Sequence, residues 1–110
     1  MHQFAVLGEM TALLQRVRVN KSKRTESSFL KKGPLRVSLI GLDEGGQLED
    51  YAVDGPYTVQ CLLGRVRLSV AGREHRLTTG EVLVAEAPMP HDITAEEASV
   101  LLLTVAVPEA

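Results

Sequence analysis

Between Val6 and Val17 the apolar side chains fall at Val6, Met10, Leu13, Leu14 and Val17, a spacing that gathers them on one face of a helix. The pattern predicts a single amphipathic helix packed on something larger. The polar stretch NKSKRTESS that follows reads as a linker or a short exposed strand. After Gly33 the period changes. LRVSLIGL, YTVQCLL, RVRLSVA, EVLVAE and ASVLLLTVAV are short runs rich in Val, Leu and Ile, divided by DEGG, VDGP, AG, TTG and APMP, which are turn compositions. That rhythm belongs to an antiparallel sandwich or barrel.

Alternation is clearest in RVRLSV, where Val66, Leu68 and Val70 can face a core while Arg65, Arg67 and Ser69 face water. Ala71 and Gly72 then supply a tight turn into REHRL, because glycine takes positive φ without a steric cost. A hairpin is expected over residues 65 to 77.

The chain has 110 residues, the size of one ordinary domain, since two separate cores would each bury too little apolar surface. Residues 1–32 are read as the helix and a basic connecting segment, and residues 33–110 as the β domain. Hydrophobic residues make up 45% against 24% charged, which suffices for a packed core. Twelve Lys and Arg against fourteen Asp and Glu give a net charge of -2, so no global field attracts nucleic acid or an anionic membrane. Arg16, Arg18, Lys21, Lys23, Arg24, Lys31 and Lys32 do crowd into the first third. With Phe29 as its one stacking group and no recognition motif, this segment reads as a solvated connection and not as a nucleic-acid surface. A single cysteine, Cys61, excludes an intramolecular disulfide, and MHQFAVLGEM lacks the pattern of a secretory signal. VLLLTVAV is too short to span a bilayer. A cytoplasmic protein is expected.

The glycine-punctuated strands, LLGRVRLSVAGREHRLTTGEVLVAEAPMPH and the final apolar strand together resemble a small single-domain cupin. The resemblance covers roughly residues 33 to 107, resting on Gly64, the hairpin, Gly80, and Pro90 with His91. It implies an all-β fold: a double-stranded β-helix, or RmlC-like jelly-roll barrel, carrying a short N-terminal amphipathic helix. In metal-binding members it also implies two histidines and a glutamate in the first motif and a third histidine in the second. Counting back from Gly64, the glutamate position is Tyr57 and the histidine positions fall on Tyr51 and Val53, or on Asp50 with the register moved by one. Only His91 stands at a ligand position with a ligand side chain. One imidazole is too few donors for a divalent ion, so no cofactor is expected, with a divalent metal as the minor alternative.

Parity places Tyr57, Val59, Cys61 and Leu63 on one face of their strand, and the resemblance makes that face the interior. His91 and Tyr51 would reach in from other strands and Val53 would stand nearby, giving a mostly apolar lining suited to a small organic ligand. Two readings of Tyr51 and Tyr57 stand side by side: ligand contacts, or plugs filling the volume of a lost metal site. His91 is equally a satisfied buried histidine or a binding group. Cys61 is most simply a core residue, His75 is expected to be exposed, and Glu96 and Glu97 read as solubilising.

The resulting expectation is a metal-free binding module or vestigial pocket. The alternative is an isomerase- or epimerase-like enzyme, or a divergent metal-dependent one, that uses His91 with Tyr51 or Tyr57 as base and acid. A homodimer is expected through the helix and the region from Phe29 to Leu42, with no nucleic-acid or membrane partner.

Overall fold

A computed structural model describes residues 1–30, 33–51, 53 and 55–108, without the side chains of Asp50 and Tyr51. The helix, α1, runs Val6–Arg18. Nine strands follow: β1 Arg24–Leu30, β2 Leu35–Leu42, β3 Gln47–Tyr51, β4 Tyr57–Leu63, β5 Arg65–Val70, β6 Arg73–Thr78, β7 Val82–Ala85, β8 His91–Ala95 and β9 Ser99–Ala106. They form two antiparallel sheets, one ordered β1-β2-β9-β4-β7 and the other β3-β8-β5-β6. Among the described residues no helix is long and apolar enough to cross a membrane.

The core lies between the sheets. Ile40 and Leu42 of β2, Val59 of β4, Val66 and Leu68 of β5, Ile93 of β8 and Leu101 and Leu103 of β9 meet there, all nearly excluded from water. The alternation read from RVRLSV is realised, with Val66, Leu68 and Val70 buried and Arg65, Arg67 and Ser69 exposed. A second apolar layer sits on the outer face of the five-stranded sheet, where Leu13 of α1 meets Leu39 and Val100, flanked by Met10, Leu14, Phe29, Leu62 and Leu102. β2 and β9 are thus covered on both faces, which accounts for their near-continuous hydrophobic runs. The helix contributes burial of Leu13 and Val17, each 0% exposed; burying such side chains stabilises by about 1.5–3 kcal/mol apiece.

The polar stretch after the helix resolves in favour of a strand. Arg24–Leu30 pairs antiparallel with β2, and the expected division at residue 33 falls in the connection between these two strands. Its polarity follows from its position: β1 is an edge strand, with one partner and solvent on the other side. The hairpin between β5 and β6 pairs Val70 with Arg73 across two residues. Ala71 and Gly72 both take positive φ, 51° and 75°, the geometry whose twist matches a tight antiparallel hairpin.

Candidate functional site

β4 presents Tyr57, Val59 and Cys61 inward, at 2%, 1% and 0% exposure. The pairing shifts between Cys61 and Leu63, and that irregularity turns Leu63 outward, to 40% exposure, against the strict alternation expected of it. Tyr57 stands at one end of the strand, paired with Val105 of β9. His91 opens β8, pairing with Tyr51 of β3 and Val70 of β5, and enters the core from the other sheet.

The two rings meet across the sandwich, with centroids 4.8 Å apart and planes at 27°. The Tyr57 hydroxyl donates to the Met89 carbonyl at 3.1 Å. His91 Nδ1 lies 3.4 Å from the same oxygen. Burial lowers the His91 pKa, against smaller opposing effects of the Met89 carbonyl and Asp92. Burial raises that of Tyr57. Both shifts favour the uncharged forms, so at neutral pH the barrel end carries a neutral phenol stacked on a neutral imidazole.

Val53, Met89 and Val107, half-buried, pack against the core cluster that contains Tyr57. Val59 continues the apolar wall inward. The backbone of Tyr51 pairs with that of His91; its side chain lies outside the described residues, as does that of Asp50. Cys61, grouped with this lining in the sequence, is four residues along β4 from Tyr57, about 13 Å away. Its Sγ instead lies 3.5 Å from the carbonyls of Leu63 and Gly64, and burial raises its thiol pKa. It is an inert core residue.

Arg36 escaped the sequence reading. It pairs with Val105, which in turn pairs with Tyr57, so Arg36 and Tyr57 flank one residue on the same inner row, and the Arg36 Nε atom is buried. The signal was present in LRVSLIGL, where Arg36 shares parity with Ile40 and Leu42. His75, expected to be exposed, is half-buried, because it pairs with Leu68 and faces the same side. Glu96 and Glu97, read as solubilising, lie beside two arginines. Glu96 Oε1 lies 3.7 Å from Arg76 Nε and 4.0 Å from Arg65 Nε, and Glu97 Oε2 lies 4.0 Å from Arg65; at this exposure such pairs are worth little.

No protein-family model and no curated protein matches the chain. Solved structures do. A conserved protein of unknown function from Streptococcus pyogenes is 25% identical at a TM-score of 0.75, over 83% of this chain and 80% of that one. A cupin-superfamily protein from Desulfitobacterium hafniense is 14% identical at 0.76, over 87% and 88%. An RmlC-like cupin from Desulfovibrio desulfuricans is 20% identical at 0.75, over 96% of each chain. The fold is that of the cupins.

Metal-binding cupins would need a cluster of donors at the barrel end where Tyr57 and His91 meet. Among the described residues no group of three or more His, Cys, Asp and Glu side chains is gathered there or elsewhere. Tyr57 is a poor substitute for a carboxylate: its proton is engaged by the Met89 carbonyl, and burial raises the cost of removing it. The donor set described in this cupin-fold chain does not fit a divalent ion.

Proposed function

We propose that this chain is a metal-free cupin module that holds a small organic ligand at the barrel end formed by Tyr57, His91, Val53 and Val59. One observation carries the reading: the position implied for a carboxylate ligand holds a phenol, stacked on the remaining histidine. An apolar body would lie against Val53, Met89 and Val107, and a polar head would exchange hydrogen bonds with the phenol or imidazole. Catalysis by an acid–base pair is less well supported. Tyr57 and His91 stack face to face and both approach one backbone oxygen, whereas an acid and a base acting on a substrate must each reach a different atom of it.

Elemental mass spectrometry on untagged protein tests the metal-free part. Metal far below one equivalent is expected, before and after addition of nickel, zinc, manganese or iron(II); near-stoichiometric metal that disappears in His91→Ala would overturn it. The binding part is tested by ligand-observed NMR over a metabolite collection. At least one compound is expected to bind wild type and lose binding in Tyr57→Phe or His91→Ala, and a collection that never distinguishes these proteins would leave the barrel end as filled core.

Assembly as a homodimer belongs to the same proposal, on a different surface from the one expected. β2 is paired on both sides by β1 and β9, and the apolar helix face already covers Leu39. β7 is the edge of the five-stranded sheet opposite β1, and its Val82 and Val84 are 51% and 65% exposed. Pairing β7 with its counterpart in a second copy would satisfy the edge and cover both valines. Sedimentation at micromolar concentration is expected to show a dimer that Val84→Lys dissociates; a wild-type monomer removes this part of the proposal.

A further inference from the structure

At one flank of the sandwich residues of β1, an edge of one sheet, and of β3, an edge of the other, line a common cleft. It measures about 470 Å³ and is lined by Ser22, Arg24, Thr25, Glu26, Ile40 and Leu48. This is within the size range of small-molecule sites. It does not involve the barrel end where Tyr57 meets His91.

The cleft has an apolar floor and a charged wall. Ile40 and Leu48, 2% and 6% exposed, belong to the central core. Arg24 pairs with Leu42 and Glu26 with Ile40, so both charged side chains project to the face that β2 turns toward the core. They stand two residues apart on one strand, about 6.6 Å between Cα atoms. Neither enters an ion pair among the described residues.

A hydrogen-bonded turn fixes this rim. Asn20 Oδ1 accepts from the Ser22 backbone N–H at 2.9 Å and from its hydroxyl at 2.6 Å. Lys23 takes φ 60°, its N–H donates to the Asn20 carbonyl, and its own carbonyl accepts from the Asp43 N–H, each at 3.0 Å. A non-glycine residue in that backbone region is held there by its surroundings. Ser22 and Arg24 also border a smaller polar depression lined by Lys21, Lys23 and Glu49.

A ligand suited to this arrangement needs an anionic group for Arg24, a cationic group for Glu26 and a hydrocarbon body for Ile40 and Leu48. A fatty acid would set its carboxylate near Glu26, and a simple amine would set its charge near Arg24. We propose that the cleft binds a free α-amino acid with a branched aliphatic side chain. Its carboxylate pairs with the Arg24 guanidinium, its ammonium with the Glu26 carboxylate, and its side chain lies on Ile40 and Leu48.

Backbone amide shifts measured by NMR test this, with leucine, N-acetyl-leucine, leucinamide and octanoate as probes. Leucine is expected to move the signals of Ser22, Arg24, Glu26, Ile40 and Leu48 saturably. N-acetyl-leucine and leucinamide should each bind about tenfold more weakly, as expected for loss of one charged hydrogen-bond partner. Arg24→Gln should weaken leucine and leave leucinamide unchanged, while Glu26→Gln should weaken leucine and leave N-acetyl-leucine unchanged. Both positions are exposed, so these variants should keep the wild-type spectrum elsewhere. Tyr57→Phe should bind leucine as wild type does, which separates this cleft from the barrel-end site. The proposal is overturned if octanoate or N-acetyl-leucine binds as tightly as leucine, or if no probe moves these signals.

Discussion

Gly64→Ala is expected to destabilise the domain by about 2–5 kcal/mol, a large share of the ~5–15 kcal/mol that holds such a domain together. Two costs add. Gly64 sits at φ +99°, where an L side chain costs about 1–2 kcal/mol. A Cβ there would also meet the Ser99 hydroxyl, the Ala98 carbonyl at 2.5 Å and the Ser99 Cα at 2.8 Å, and overfilling a close-packed site costs about 1–3 kcal/mol. The neighbours cannot easily retreat. Ser99 is fully buried, its hydroxyl is 2.7 Å from the Glu97 carbonyl and accepts the Arg65 N–H at 3.1 Å, and the Gly64 N–H donates to Thr79 Oγ1. This corner ties the β4–β5 connection to the start of β9. At roughly 4 °C or more per kcal/mol, the melting temperature should drop by about 10–20 °C. Gly72→Ala is the control, because Gly72 has φ +75° but nothing within 4 Å of an added Cβ, so it isolates the backbone cost. Equal losses for the two variants in urea titrations would mean that the corner yields and that contact at Gly64 contributes nothing.

Legibility in the sequence followed from how local the cause of each feature is. The inward set Tyr57, Val59 and Cys61 was readable because strand alternation needs only neighbours along one chain. Leu63 was not, since the shift in pairing that exposes it depends on how β4 meets β9. β1 stayed open between a linker and a short exposed strand because an edge strand leaves one side of its backbone and much of its side-chain surface in water, and so carries linker-like residues such as Arg24, Glu26 and Ser28. His75 was misread for a related reason: its strand is polar, yet its cross-strand partner Leu68 faces the core. The cupin pattern identified Tyr57 and His91 as candidates, but their stacking joins residues on different sheets. No periodicity records that distance. The cleft beside β1 depends on how β1 pairs, and the basic segment resolves from Arg16 to Leu30 into a helix end, a turn and a strand, Lys31 and Lys32 lying outside the described residues.

Between pH 7 and 5 the protein should lose stability, and His91 should account for a measurable part of the loss. An unfolded histidine titrates near 6.5, whereas burial holds His91 below that value in the folded state. As pH falls below about 6.5 the unfolded chain takes up a proton that the folded chain refuses, so stability falls with falling pH. Above about 6.5 the imidazole is neutral in both states and this dependence vanishes. One such group contributes at most about 1.4 kcal/mol per pH unit, and only down to its folded pKa. The Met89 carbonyl and Asp92 act in the opposite direction, favouring the charged ring, and the stacked Tyr57 is itself held neutral. His91→Phe keeps a planar ring against Tyr57 and cannot take the proton. Its stability plotted against pH should therefore be flatter than wild type over this window, whatever its offset at pH 8. Tyr57→Phe removes the bond to the Met89 carbonyl while retaining the imidazole, and should keep the wild-type slope. Parallel curves for wild type and His91→Phe would place the histidine in a hydrated setting and undo the neutral stack. The same neutrality bears on the barrel-end ligand: a compound that hydrogen-bonds to the neutral imidazole should bind more weakly wherever acid finally charges His91, so its affinity and the fold should weaken together on the acid side.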